Sequence, residues 1–325
     1  MKSTTHDRLG LTLIEILVVV SMAGLLMALL LPAVQSSRES ARRATCQNNL
    51  RQIGLALHSH EAAHQFLPSL YNGKFLPRPR TPIDEFHFHS WRTAILPQLE
   101  QSNLFAQLNI NVPATVAANQ TAINVRISTF VCPSSNNPHQ TVPDIFAWND
   151  GAIPVAKIGT AARSDYEATG GVQVARQTGL STDISIHEFG GWGEPTYDLS
   201  NGSSVRYRKA RLSDITDGLS STILVGERAG RPDFYRRGEP VEPYYPGRGM
   251  DHHQAAWAIS THFLWTIFWH ETSVNENNGG IFSFHPGGAN VALADGSVRF
   301  LKETTAPAIL KGLVTRSGSE VANPD

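Results

Sequence analysis

Polar and apolar positions divide this chain into a short leader, a long apolar run, an amphipathic stretch and a mixed remainder. The leader ends Arg8-Leu9-Gly10. Leu11 to Leu31 follow, interrupted only by Thr12, Glu15, Ser21 and Gly24. A bilayer-spanning helix needs about 20 predominantly apolar residues, which this run supplies. A carboxylate inside hydrocarbon is costly, so Glu15 is a functional candidate by its position alone. Pro32 predicts a kink rather than a stop. Beyond it, Cys46, Leu50, Ile53 and Leu57 recur at spacings of four, three and four, one face of a helix. Arg38, Arg42, Gln52 and Glu61 take the other side, and Pro68 signals the end. The pattern predicts a helix of about 50 residues, roughly 75 Å long.

The remainder is less periodic. Residues 71–90 carry Pro77, Pro79, Pro82 and an Asn72-Gly73 turn signal, and read as an extended loop. Trp91, Ile95, Leu99, Leu104 and Leu108 predict a helix over 91–108, with Pro97 as its flaw. Ile127–Val131 and Thr222–Gly226 are predicted strands. Residues 136–210 read as loops and short strands. Asn290 to Leu301 predicts a hairpin around Asp295-Gly296, because Asp-Gly suits a two-residue type I′ turn with positive φ at both positions.

Composition narrows the classes. The chain has 325 residues, 41% apolar and 17% charged, with a formal net charge of −1. Near neutrality argues against a nucleic-acid partner. Roughly 260 residues follow the helix, enough for one large domain or two small ones. The cluster Arg38, Arg42, Arg43 and Arg51 reads as a solvated helix face or a headgroup contact. By a positive-inside count it weakly favours a cytoplasmic C-terminal side. The two cysteines, Cys46 and Cys132, form no C-x-x-C, which argues against a structural zinc site. Outside the cytoplasm they are free to form a disulfide stapling the domain to the helix; otherwise they are two separate buried thiols.

Histidine supplies the candidate chemistry, with 13 residues. His60 and His64 have i, i+4 spacing, His87 and His89 share a strand face, and His252-His253 follow Asp251. His262 and His270 lie near Trp257, Trp265 and Trp269, an aromatic run that reads as core or, alternatively, as a carbohydrate or partner surface. His285 and Asp295 are separated by nine residues. They form a metal or acid–base pair, or else His285 bonds across its loop while Asp295 shapes the turn; the second reading is preferred. Asp214, Asp217 and Glu227 form a weak calcium candidate. No H-E-x-x-H and no G-x-S-x-G is present, so no enzymatic activity is assigned.

The Gly10-Leu11…Glu15 arrangement resembles the class III signal of type IV prepilins and pseudopilins. That resemblance implies cleavage after Gly10 by a prepilin peptidase, N-methylation of Leu11, and Glu15 as an assembly contact that neutralises the Leu11 amine of a neighbouring subunit. The resemblance widens along the chain. Residues 42–54, Trp91 to Phe105, Phe130 to Ser135, Ser164-Asp165-Tyr166, Ile215 to Glu227 and His285-Pro-Gly-Gly…Asp295-Gly296 occur in order. Together they resemble a large bacterial family of prepilin-like proteins named for its C-terminal H-x9-D-G motif, whose function is unassigned. The implied architecture is α+β and pilin-like. Its expected boundaries are leader 1–10, transmembrane half-helix 11–34, amphipathic half-helix 35–66 and globular domain 67–325. The implied setting is a single-pass protein of the inner membrane, with its C-terminal domain periplasmic or at the cell surface. It would be a homo- or hetero-oligomer through its N-terminal helices, in a pilus or secretion pseudopilus. The competing readings are a membrane-anchored binding module outside any filament and, less favoured, a hydrolase using His285 and Asp295.

Overall fold

A computed structural model describes residues 12–72, 88–135, 141–148, 154–174, 186–189, 195–198, 204–207, 210–241, 255–260, 266–268, 274–277 and 280–316. Helix α1 runs without a break over Leu13–His64, 52 residues, carrying Pro32 inside it. Its start is a capping box. Thr12 Oγ1 accepts from the Glu15 amide at 3.4 Å, and Glu15 Oε2 accepts from the Thr12 amide at 2.8 Å. Gln65 ends the helix in the left-handed region, φ 65°, and donates its N–H to the Glu61 carbonyl.

The two halves of α1 have opposite surroundings. The apolar half is long enough to cross a membrane and none of it is buried. Leu13, Leu17, Leu25 and Leu29 are all more than half exposed. The second half supplies the core: Cys46, Leu50, Ile53 and Leu57 are at most 1% exposed. Burying each such side chain contributes about 1.5–3 kcal/mol, which holds this half of the helix to the domain.

The domain mixes helix with small, mostly antiparallel sheets. The central sheet orders its strands Val298–Lys302, Gly288–Leu293, Ile223–Glu227 and Tyr166–Ala168, all antiparallel. Every residue of its two middle strands is buried, as expected of strands covered on both faces. Period-two alternation divides the coverage. Ala289, Val291 and Leu293 share a core with Leu310, Leu313 and Val314 of the helix Pro307–Val314. Ala292 and Ala294 share the other core with Cys46, Leu50 and Ile53 of α1. The sheet is therefore sandwiched between the C-terminal helix and the second half of α1. Smaller sheets surround it. One joins Tyr71–Asn72, Phe88–Ser90 and Ile259–Ser260. Another pairs Gly171–Val174 in parallel with Thr266–Phe268 and antiparallel with Ile186–Phe189.

Four local expectations need correction. The described ends of the stretch read as an extended loop, Tyr71–Asn72 and Phe88–Ser90, are strands paired with each other. Residues 91–108 form a helix at Trp91–Ala94, a 3-10 turn at Pro97–Leu99 and a helix at Ser102–Ala106. Pro97 cannot donate into a continuing helix, and Glu100 turns the chain through φ 61°. The apolar positions Trp91, Ile95, Leu104 and Leu108 are buried all the same. Ser128–Phe130 is a 3-10 turn rather than part of a strand. Its Phe130 carbonyl accepts from the Asp165 amide, and the turn delivers Cys132 to the helix. Finally, the hairpin loop holds three residues, Ala294 to Gly296. Leu293 N–H donates to the Ser297 carbonyl and Gly296 N–H to the Leu293 carbonyl. Only Gly296 has positive φ, 83°. This is a type I turn closed by a left-handed glycine bulge, the next most common hairpin solution.

Candidate functional site

The anchor end carries one described candidate. Gly10 and Leu11 lie outside the described residues, whereas Glu15 is described and exposed. Its carboxylate accepts from its own helix start, including the Thr12 hydroxyl at 2.7 Å.

The densest chemistry lies where α1 meets the central sheet. Glu39 and Cys46 are two turns apart on α1 and so share a face. Cys46 is joined by a disulfide to Cys132, just beyond the 3-10 turn, with Cα atoms 5.3 Å apart. The bond spans 86 residues of chain. Restricting so long a loop in the unfolded state is worth about 4–5 kcal/mol in the chain-entropy account. Asp165 steadies Cys132 by accepting its N–H at 2.9 Å, and Arg163 pairs with Asp165 at 2.9 Å.

His285 stands against this disulfide. Its Nδ1–H donates to Glu39 Oε1 at 2.6 Å. Its Nε2 lies 3.5 Å from Glu227 Oε1 and 3.6 Å from Cys132 Sγ. Glu227 ends the strand Ile223–Glu227 and is fully buried. Its Oε2 accepts from the Asn290 amide at 2.6 Å and from the Asn290 side chain at 3.1 Å. Glu39 is also held by Ser134 Oγ at 3.0 Å and by Arg42 Nε at 2.9 Å. Burial alone would lower the His285 pKa. The hydrogen bonds and charges of Glu227 and Glu39 outweigh it and raise the pKa above the ordinary histidine value. Burial likewise works against ionised Glu39, but His285, Arg42 and Ser134 hold its pKa below the ordinary value.

The H-x9-D-G motif thus docks on α1 at two points. At one end His285 bonds Glu39. At the other, a Cβ on Gly54 would lie 3.4 Å from the Gly296 Cα, so helix and turn touch backbone to backbone. Between them Asn290 bonds Gln47 at 3.1 Å, and Arg43 lies over the Phe300 ring at 3.5 Å. Glu39 and Gly54 are about 22 Å apart along the helix. A six-residue strand covers about 20 Å, so the spacing of the motif matches the two docking points.

His285 and Asp295 do not form a pair. Asp295 Oδ1 accepts from the Ser297 amide at 2.9 Å and shapes the turn. The carboxylates at His285 are Glu39 and Glu227. The proposed calcium set does not converge either. Asp214 accepts from the Arg211 amide at 3.0 Å, and the Asp217 amide donates to the Arg316 carbonyl at 3.1 Å. Glu227 is turned into the His285 cluster instead. His60 and His64 stack at 4.2 Å, each with its Nδ1 on a backbone carbonyl. His89 is buried against the carbonyls of Asn109 and Val112. Trp257 is core, donating Nε1–H to the Val125 carbonyl at 2.9 Å. His87, His252, His253, His262, His270, Trp265 and Trp269 lie outside the described residues. Glu39 and Asn290 escaped sequence reasoning. Glu39 had one available signal: it lies seven residues before Cys46, on the apolar stripe rather than opposite it.

Residues 35–308 match the family described as "Protein of unknown function (DUF1559)". The chain belongs to that family, the one with the H-x9-D-G motif. No curated protein and no solved structure matches the chain.

Proposed function

We propose that this chain is a prepilin-like, membrane-anchored extracytoplasmic protein with a pilin-like fold. A prepilin peptidase cleaves it after Gly10 and methylates Leu11, and it serves as a subunit of a pilus or secretion-pseudopilus type of assembly. One observation carries the reading: a single unbroken helix whose first half is wholly exposed and apolar and whose second half is the core of the domain. Such a helix first anchors the subunit in the membrane and then packs against its copies once drawn out of the bilayer. Glu15 lies in the first turn of that half, where it can meet the Leu11 amine of a neighbouring subunit. The disulfide supports a domain outside the cytoplasm, since such bonds persist in oxidising compartments. It therefore weighs against the orientation suggested by the arginine count.

The test is the mature N-terminus, read by mass spectrometry from cells with and without the prepilin peptidase. The expected product starts at N-methylated Leu11 only when the peptidase is present. A chain that still begins at Met1 in peptidase-containing cells would sink the proposal. Glu15→Ala should leave processing intact and abolish incorporation into filaments.

A further inference from the structure

The disulfide, His285 and Glu227 have a second possible use. Among the described residues, Cys46, Cys132, Glu227 and His285 form the one group whose ligand atoms all lie within 4.8 Å of one another. All four are buried. We propose that the chain with Cys46 and Cys132 still reduced binds one Zn²⁺ through both sulfurs, His285 Nε2 and Glu227 Oε1.

The geometry supports this on three counts. Zinc bonds of about 2.3 Å to sulfur and about 2.05 Å to nitrogen or oxygen, at tetrahedral angles, place S and N about 3.6 Å apart and N and O about 3.4 Å apart. The distances are 3.6 Å from His285 Nε2 to Cys132 Sγ and 3.5 Å from His285 Nε2 to Glu227 Oε1. Two sulfurs not bonded to each other need to separate to only about 3.8 Å to complete the tetrahedron. Second, Glu227 is held for the task. Asn290 occupies Oε2 twice, while Oε1 is buried and faces the imidazole Nε2 at 3.5 Å. Third, His285 gives its other nitrogen to the Glu39 carboxylate at 2.6 Å. A carboxylate behind a ligating histidine fixes the ring and strengthens it as a donor.

The balance is simple. Both thiols and the protonated imidazole nitrogen release their protons as Zn²⁺ enters, and no electrons move. The newly made chain supplies the thiols, so no reductant is required. Metal and disulfide exclude each other, because each uses the same two sulfurs. Either one joins α1 to the sheet at the same place. Since the site is buried, zinc enters as the domain closes, and binding is coupled to folding.

The test uses the full chain in detergent, stripped of metal and reduced with a non-chelating phosphine. Zn²⁺ is titrated against a chromophoric chelator, and Co²⁺ is added separately for its absorption spectrum. One Zn²⁺ per reduced chain and none per oxidised chain is expected. Co²⁺ should give the intense visible bands of a four-coordinate thiolate site. Glu39→Gln should weaken zinc at least about tenfold without changing the stoichiometry. The proposal is overturned if the reduced wild-type chain takes no zinc, or if its Co²⁺ spectrum is that of an octahedral, sulfur-free site. It is also overturned if His285→Ala and Glu227→Gln both bind as tightly as wild type, which would mean thiol scavenging alone. The wild-type spectrum decides the matter even where a variant does not fold.

Discussion

The Nδ1 of His285 lies 2.6 Å from Oε1 of Glu39, across 246 residues of chain. The bond ties the start of the packed half of α1 to the loop that opens the C-terminal hairpin. It also places one imidazole between two carboxylates, since Glu227 lies on its other side.

Removing that imidazole takes away the cation that faces buried Glu227 at 3.5 Å. His285→Ala should therefore destabilise the oxidised chain by about 3–5 kcal/mol, the range for breaking a buried ion pair from one side. Glu39→Gln should cost less, because Glu39 is 23% exposed and water replaces part of what is lost. Urea unfolding of the two variants measures the difference. Equal costs would show that Glu227 does not depend on His285.

The same pair sets a pH dependence. The folded state raises the His285 pKa, so its contribution is full below the ordinary value of 6.5 and is lost as pH rises through the folded value. Glu39 is lowered, so its contribution is full above the ordinary 4.5 and is lost as pH falls through the folded value. The pair therefore stabilises most between pH 4.5 and 6.5. Melting temperature should decline on the alkaline side of that window, and His285→Gln should flatten the decline. The groups to control are Glu39 with its partner Arg42 on α1, and Glu227 on the central sheet.

Gly54 offers a graded test of the second docking point. A Cβ there would make ordinary van der Waals contact with Gly296, at 3.4 Å from its Cα. Gly54→Ala should accordingly be neutral or gain up to about 1 kcal/mol from helix propensity. Gly54→Leu must push the turn away and should lose about 1–3 kcal/mol. Thermal melts of both variants, with disulfide closure checked by mass, separate the outcomes.

Where the chain can be cut also follows. A fragment beginning at about residue 35 keeps Glu39, Cys46 and the buried stripe of α1. One beginning at residue 65 loses them. Cys46, Leu50, Ile53 and Leu57 at about 2 kcal/mol each amount to roughly 8 kcal/mol, against a whole stability of about 5–15 kcal/mol. The longer fragment should be a soluble, folded monomer by gel filtration and near-ultraviolet circular dichroism. The shorter should aggregate or remain unfolded. A folded shorter fragment would show that the helix is packed on the domain without being part of its core.

How much of this was legible depended on the range of the interaction. The stripe of Cys46, Leu50, Ile53 and Leu57 is a local periodicity, and it located the buried face of a helix whose length was also anticipated closely. The strand at 223–227 and the hairpin flanks were readable for the same reason. Residues 127–131 were misread because tertiary demands overrode β-propensity: the segment turns to bring Cys132 to α1 and Phe130 to Asp165. Glu39 carried only its place on the apolar stripe as a signal, and a carboxylate in an Arg-rich helical stretch normally faces water. Its partner is a histidine in a loop near the far end of the chain, and no local pattern encodes that pairing.

The continuity of α1 has a mechanical consequence. The apolar half and the packed half are one continuous helix, so a pull on the first passes along it to the domain. It arrives first at Glu39, a hydrogen-bonded contact that yields and re-forms. Seven residues later it reaches Cys46, where the load passes into a covalent bond. A yielding contact followed by a covalent one keeps the helix from being stripped from its domain under such a load.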